Sequence, residues 1–230
     1  MADHSILFSA LMIQALLAGR KFQTRRILNI YEPPFGPGNT PDDVVVSSYK
    51  GKSTPPYRQK FKIGDRLVVR EAFSGPYAYK PKENPPREWP AGTPIWFWAD
   101  GNPEQGDWGK PKPGMHLPQI FSRLTLHVTD VRVEKLHDIS DEDAIAEGIE
   151  PVEDPRSQGQ IHWKDYETYE YKHVRQPTPH AVVPFEKPWR SYCSLWEEIN
   201  GHGSWVVNPW VTATTFTVDR RNIEEIRNAA

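Results

Sequence analysis

The sequence predicts a protein of the α+β class that is mainly β, with short helices and long proline-rich loop insertions. Three features predict it: short β-branched runs bounded by charged residues, brief apolar stretches with capping residues at their ends, and 23 prolines among 230 residues. That proline content is about twice ordinary usage, and proline fits neither helix interiors nor central strands. Much of the chain is therefore expected to form ordered loops.

The individual elements follow from local patterns. Runs of β-branched and apolar residues predict strands at 6–8, 67–69, 93–99, 124–133 and 212–218. An apolar stretch predicts a helix at 10–18, and the patterns at 189–199 and 222–229 predict a second helix and a helical turn. A short acidic helix is predicted at 141–147, where Ser140 is the cap, Asp143 is placed for a capping-box contact and Gly148 is the stop. A bulge or bend is expected near 129–130, where the alternation of apolar residues in the fourth strand is interrupted.

Four segments between these elements are rich in Pro, Gly and charge and lack periodicity. They are 31–59, 74–92, 101–117 and 150–187. None carries enough apolar residues to fold alone, so we expect a single domain over residues 1–230 with these segments as insertions. Because long loops in compact domains are usually functional, we expect the insertions to wall a pocket.

Composition excludes several classes of protein. With 28 Lys and Arg against 30 Asp and Glu, the formal charge of −2 argues against a protein that coats nucleic acid. Nine residues each of Trp, Tyr and Phe argue against disorder. The single cysteine, Cys193, excludes an internal disulfide and fits a reducing compartment. With no apolar run long enough to span a membrane, we expect a cytoplasmic protein without membrane attachment, and favour a monomer.

Two local anomalies suggest where chemistry resides. The segment 19–26 combines a glycine helix stop, four cations and the hydroxyl of Thr24. Cations at the end of a helix complement its dipole, which is the structural interpretation of this segment. Glu147 is the opposite case, because a carboxylate in the last turn of a short helix meets the negative end of the dipole. A locally disfavoured residue of this kind is sometimes a functional one.

The pattern Gly19-x-Lys21-x-x-Thr24-x-Arg26 resembles the G-x-K-x-x-E-x-R signature of ASCH domains, which are small PUA-like β-barrels linked to nucleic-acid and nucleoside chemistry. This chain has Thr24 where the commoner form has Glu. The same departure occurs in the small bacterial ASCH enzymes that hydrolyse N4-acetylcytidine. The resemblance therefore implies a PUA-like β-barrel and an amidohydrolase acting on N4-acylated cytosine nucleosides.

In those enzymes the Lys and Thr of the motif act with a later Glu as a catalytic triad. The matching stretch of this chain ends at Glu147, so the resemblance implies a triad of Lys21, Thr24 and Glu147. The segments 64–71, 143–149 and 195–205 also resemble long ASCH proteins that are common in phage and prophage genomes. Together with the motif they cover most of the chain outside the insertions.

The chemistry of these residue types fits amide hydrolysis in two ways. Thr24 is a nucleophile if Lys21, its pKa lowered by burial and neighbouring cations, takes its proton. Glu147 then protonates the leaving nitrogen or accepts a hydrogen bond from it. In the other mechanism Glu147 or Lys21 activates a water molecule and Thr24 orients the carbonyl group. The sequence leaves both mechanisms open.

Further residues are candidates for substrate binding: Arg26 in the motif, Glu71 at the end of a strand, and Trp205, whose ring could stack on a cytosine. For Glu71 an ion pair is an equally good interpretation. The eight histidines show none of the spacings typical of zinc sites, so neither a metal nor another cofactor is expected.

Two other functions compete with the enzyme that acts on a small nucleoside. One is a PUA-like binding module that recognises RNA or a modified base without catalysis, which the local cluster of cations at 20–26 favours and the net charge disfavours. The other is ribonuclease action, which is known for some ASCH proteins. The sequence offers no catalytic pair of histidines for the latter.

Overall fold

A computed structural model describes residues 2–28, 48–49, 52–53, 60–79, 85–153, 160–166 and 184–229. Within them the protein is mainly β, which confirms the α+β class. The strands are β1 Asp3–Leu7, β2 Gln23–Ile27, β3 Ser48–Tyr49, β4 Lys52–Ser53, β5 Arg66–Arg70, β6 Phe73–Ser74, β7 Trp96–Phe97, β8 Thr125–Lys135, β9 Pro151–Val152, β10 His162–Trp163 and β11 Trp210–Asp219. The α-helices are α1 Ala10–Leu17, α2 Asp141–Ala146, α3 Pro188–Asn200 and α4 Ile223–Asn228. Short 3₁₀ helices lie at Pro86–Glu88, Trp98–Asp100, Gly114–His116, Gln119–Phe121 and Leu136–Asp138.

The main sheet has five strands in the order β1-β5-β8-β11-β2. Strands β1 and β5 are parallel, with Ile6 opposite Val69, and β5 and β8 are antiparallel, with Leu67 opposite Leu126. The amide of Leu28 donates to the carbonyl of Trp210, where β2 ends and β11 begins. Three two-stranded sheets pair β3 with β4, β6 with β7, and β9 with β10.

The described chain falls into two compact units. The first unit comprises 1–22, 61–130 and 215–230, and the second comprises 23–60 and 131–214. The boundary lies within β8 and β11. No helix in the described ranges is both long and apolar enough to cross a membrane.

The first unit is built on β5. Its residues Leu67, Val68 and Val69 are at most 1% exposed, and successive side chains of a strand point to opposite faces, so β5 is covered on both sides. An aromatic cluster of Phe73, Trp89, Leu117 and Phe121 forms a second apolar centre. Trp89 and Leu117 belong to two of the predicted insertions, which are therefore packed segments rather than loose loops where the structure describes them.

The second unit is built on the packing of α2 against α3. Ala144 of α2 lies in one buried cluster with Tyr192, Leu195 and Trp196 of α3. Ser140 caps α2 as predicted, because its hydroxyl accepts the amide of Asp143 at 3.1 Å.

Most predicted elements are confirmed, with shifts of at most three residues at their ends. The prediction of 93–99 as a strand is only partly right, because Trp96–Phe97 alone is β and a 3₁₀ turn follows. Strand β8 continues through 129–130, where the sequence predicts a bulge or bend. Strand β2 was not predicted, since four of its five residues, Gln23–Ile27, are polar or charged and show no alternation of apolar residues. The insertion 31–59 lies mainly outside the described residues.

The aromatic cluster of the first unit leaves no space for a side chain at Gly75. A β-carbon added there would lie 2.2 Å from the buried ring of Trp89. We expect Gly75→Ala to lower the free energy of unfolding by about 1–3 kcal/mol, measured by urea denaturation, because the ring cannot move without overpacking. Gly109→Ala is the matched control, since its nearest neighbour would be 3.4 Å away. Equal losses from the two substitutions would contradict this packing.

Candidate active site

Lys21 follows the end of α1 directly. The chain turns at Gly19, whose φ is +68°, and the amides of Arg20 and Lys21 both donate to the carbonyl of Ala15. This turn places the Lys21 side chain in the interior, where it is fully buried with its ammonium 5.8 Å from the centre of the Phe8 ring. Burial of a lysine costs free energy, so its position demands a structural or chemical reason.

Thr24 lies on β2 and is also fully buried. Its hydroxyl oxygen has no hydrogen-bond partner among the described residues. A buried hydroxyl without a partner is rare and costs about 1–3 kcal/mol of stability. Because side chains alternate along a strand, Thr24 and Arg26 project from the face opposite to that of Gln23 and Arg25.

The guanidinium of Arg25 is the centre of a buried ionic cluster. It contacts the carboxylates of Glu134 at 2.6 Å and Asp143 at 2.8 Å, and that of Glu147 at 3.2 Å. It also donates to the side-chain oxygen of Gln23. We call these five residues the Arg25 cluster, and all of them lie in the second unit.

The carboxylate of Asp143 accepts hydrogen bonds from three side chains, two of them in the Arg25 cluster. Besides Arg25, it accepts hydrogen bonds from Gln23 at 3.0 Å and from Arg132 at 2.6 Å. Burial tends to raise the pKa of Asp143, but these hydrogen bonds outweigh burial and hold it below its usual value. The carboxylate is therefore ionised throughout the neutral range.

Glu147 occupies the C-cap of α2 and is 3% exposed. Gly148 ends the helix with φ of +94°. The structure thus confirms the helix end predicted there and explains how the helix dipole is countered: the positive charge of Arg25 faces the carboxylate. As the partner of a guanidinium, Glu147 acts as a hydrogen-bond acceptor in this arrangement.

Glu147 influences other groups of the second unit. Burial by itself lowers the pKa of Arg25, but Glu147 and Glu134 more than compensate and raise it. Burial lowers the pKa of the partly buried Arg26, and Glu147 offsets only part of the effect. The phenol of Tyr192 is kept neutral, because burial and then the charge of Glu147 raise its pKa well above the ordinary value.

Trp205 lies in an aromatic stack of the second unit. Its ring is 4.9 Å from that of His137 and 6.5 Å from that of Trp189, in nearly parallel orientations. The buried carboxylate of Glu197 accepts the amides of Gly203 and Trp205, which holds the loop in place. The ring of Trp205 is thus packed against two other rings.

Glu71 lies in the first unit and is 2% exposed. Its carboxylate accepts two hydrogen bonds from Arg123, at 2.8 and 2.9 Å, and Arg123 also binds Asp100. Burial raises the pKa of Glu71, and Arg123 compensates only in part. The structure shows the ion pair that the sequence analysis gives as the alternative to a role in substrate binding.

The predicted site residues are therefore distributed over the two units. Thr24, Arg26, Glu147 and Trp205 lie in the second unit, whereas Lys21 and Glu71 lie in the first. Within the described residues, no three His, Cys, Asp or Glu side chains are grouped so that they could hold a metal ion.

The central position of Arg25 was not predicted. The local sequence places Arg25 only among the four cations of the segment 19–26, and Asp143 only in the first turn of a helix. The available signal was the alternation of Gln23 and Arg25 two residues apart, which puts both side chains on one face of a strand. Their carboxylate partners lie 109 to 122 residues away from Arg25, beyond the reach of local patterns.

The likeness to ASCH domains rests on the motif residues of this chain. No protein-family model, curated protein or solved structure matches the sequence or the fold. The function must consequently be argued from the side chains of the site and tested directly.

The buried charge of Arg25 gives a prediction about stability. We expect Arg25→Met to lower the free energy of unfolding by about 3–5 kcal/mol in urea denaturation, because three carboxylates lose their shared cation. Arg132→Met is the matched control, because Arg132 also binds Asp143 but its side chain is 44% exposed. This substitution should lower the free energy of unfolding by about 1 kcal/mol or less. Similar losses for both would show that Arg25 is not the centre of the cluster.

The lowered pKa of Asp143 predicts how stability depends on pH. A carboxylate whose pKa is depressed by folding stabilises the folded state above its ordinary value of 3.8, and this contribution is lost as the pH falls through the folded-state pKa. The difference in unfolding free energy between the wild type and Asp143→Asn should therefore be constant from pH 7 to about 5 and shrink below about 4. Asp107→Asn, which removes the charge of an exposed aspartate outside the cluster, is the control for the change in net charge. A difference that grows on acidification would contradict the assignment.

Proposed function

We propose that the protein is an amidohydrolase that removes the acyl group from N4-acylated cytosine or its nucleosides, with Lys21, Thr24 and Glu147 as catalytic residues. The observation that carries the proposal is the hydroxyl of Thr24, which is buried without a hydrogen-bond partner among the described residues. A protein retains such a group at a cost in stability, and a reacting hydroxyl must be free to bond to a substrate. The proposal includes a PUA-like β-barrel fold.

The substrate makes the chemistry accessible. An acylated exocyclic amine of cytosine is an amide whose leaving group is an electron-poor aromatic amine, so its expulsion needs less assistance than that of a peptide amine. A small set of positioned side chains can then supply the proton transfers, each worth about 10²–10⁴ in rate.

In the covalent mechanism, the Thr24 oxygen forms a bond to the carbonyl carbon while Lys21, as a neutral amine, takes the hydroxyl proton. The carbon–nitrogen bond then breaks, and the proton passes to the departing cytosine nitrogen. Water hydrolyses the threonyl ester and releases the carboxylic acid. In the direct mechanism water attacks the carbonyl carbon, and the Thr24 hydroxyl only orients the carbonyl oxygen.

Glu147 is assigned as the acceptor for the exocyclic N–H of the cytosine. Its contact with Arg25 supports this role, because the carboxylate already accepts a hydrogen bond from the guanidinium at 3.2 Å. Arg25 is accordingly assigned as a positioning residue, which holds Glu147 through a contact of 3.2 Å. Arg26, whose charge interacts with that of Glu147, is assigned to substrate binding.

A second candidate function is a binding module that recognises RNA or a modified base without catalysis. The aromatic stack favours it, because Trp189 is 38% exposed and the guanidinium of Arg190 lies 5.5 Å from its ring. Exposed rings beside cations are typical of surfaces on which bases of single strands stack. Turnover of an acylated nucleoside distinguishes the two functions.

The triad can be tested by following the ultraviolet spectrum of N4-acetylcytidine as it is converted to cytidine. We expect Lys21→Met to reduce kcat by about 10²–10⁴, the usual effect of removing a positioned base. We expect Glu147→Gln to reduce it by about 10- to 100-fold, the effect of losing a hydrogen bond to a charged acceptor. Glu150→Gln is the matched control for Glu147, because Glu150 pairs with Lys164 outside the Arg25 cluster. No turnover by the wild type at high enzyme concentration, with several acyl groups, would refute the enzyme and leave the binding module.

The same assay separates the two mechanisms. If Thr24 is the nucleophile, Thr24→Ala loses as much activity as Lys21→Met, Thr24→Ser retains activity, and an acyl-enzyme is visible as a mass shift. If Thr24 only orients the carbonyl, its loss costs about 1 kcal/mol, less than tenfold in rate.

A further inference from the structure

The first unit contains a cavity of about 690 Å3 that none of the proposed catalytic residues lines. Its walls come from residues 85–87 of one predicted insertion and residues 110–117 of another, together with Arg70 at the end of β5 and Pro118. A volume of this size is typical of sites for organic molecules with the dimensions of a cofactor or a nucleotide.

Four cations line this basic pocket: Arg70, Arg87, Lys110 and Lys112. No carboxylate is among its described lining residues. Of the four, Arg87 has an exposed carboxylate neighbour, Glu88 at 3.4 Å, and such an exposed pair contributes little. The pocket therefore concentrates positive charge, although the chain as a whole carries a formal charge of −2.

Two of these cations are held in place by the fold. Lys112 exchanges two backbone hydrogen bonds with Phe73, at 2.8 and 3.1 Å, and burial lowers the pKa of its ammonium. Arg70 donates from one terminal nitrogen to the carbonyl of Met115 at 3.1 Å. The Nε of Arg70 is buried and has no acceptor among the described residues. Cations fixed in this way lose little conformational entropy when an anion binds.

The remaining lining is mostly apolar and stiff. Prolines 85, 86, 111 and 118 contribute rings with restricted backbones, and Met115 and the buried Leu117 complete the apolar part. The imidazole of His116 is the one aromatic ring among the described lining residues, so they do not form the series of stacking platforms typical of single-stranded nucleic acid sites. Apolar walls with cations favour a small ligand that has both an anionic group and an organic body.

We propose that this basic pocket binds an organic phosphate monoester of about mononucleotide size. The phosphate lies against Lys112 and Arg70, and the organic part lies against the proline rings and Met115. The site is separate from the proposed triad in its residues, so this inference goes beyond the amidohydrolase and does not depend on it.

Calorimetric titration of the full chain tests the proposal, with cytidine 5′-monophosphate, cytidine and inorganic phosphate as probes. We expect the monophosphate to bind at one site at least about tenfold more tightly than either of the others, because only it combines a charge-assisted contact with an organic body. Equal affinity for the monophosphate and cytidine would overturn the anionic part of the proposal, and equal affinity for inorganic phosphate would overturn the organic part. Undetectable binding of the monophosphate at millimolar concentration would overturn both.

Substitutions locate the binding. Lys112→Gln should weaken the affinity for the monophosphate by about tenfold. Arg87→Gln should weaken it by about threefold, because the side chain of Arg87 is 82% exposed and its replacement cannot disturb the core. Lys62→Gln is the matched control, since it removes the same charge from an exposed position of the first unit outside the pocket. A loss with Lys62→Gln equal to that with Lys112→Gln would show nonspecific attraction and overturn the site.

Two further titrations separate this site from other surfaces. Glu147→Gln should leave the affinity for the monophosphate unchanged, whereas a loss would assign the binding to the proposed active site. A cytidine oligonucleotide of ten residues that binds far more tightly than the monophosphate, with the same dependence on Lys112, would assign the surface to nucleic acid. Because calorimetry needs no turnover, an inactive protein that binds the monophosphate would refute the proposed function and retain the pocket.

Discussion

The burial of the Arg25 guanidinium is the constraint on which the second unit depends. A buried charge is tolerated only when partners replace the water that it loses, and here three carboxylates and an amide do so. The carboxylates come from β8, from α2 and from the C-cap residue of α2, Glu147, and the amide comes from Gln23 of β2 itself. One guanidinium therefore ties two strands and a helix together, and it requires each of them to adopt a specific position.

Glu147 gains its orientation from this arrangement. A carboxylate at the end of a helix is disfavoured by the dipole, and the ion pair with Arg25 supplies the opposite charge that offsets the penalty. Glu71 in the first unit shows that pairing alone does not define a reactive group, since Arg123 engages both of its oxygens. The buried hydroxyl of Thr24, which has no partner among the described residues, distinguishes the second unit.

The proline-rich insertions have a different part in the first unit. Where the structure describes the insertions, their proline rings and the aromatic cluster around Trp89 are packed. The cations of the insertions are therefore attached to a backbone with little freedom to move. Lys112 illustrates this, because hydrogen bonds with Phe73 hold its backbone beside the core. A chain with almost balanced charge can thus present a local surface of one sign.

The sequence by itself determined the elements that depend on local chemistry. The cap at Ser140, the stop at Gly148 and the apolar run of β5 need only neighbouring residues, and all three are present. Only the tertiary structure decided that Gln23–Ile27 forms a strand and that Arg25 is buried. Residues 23–27 carry no apolar alternation that would mark a strand, and the carboxylates that pair with the Arg25 guanidinium lie more than a hundred residues away in the chain, so the local sequence specifies neither feature.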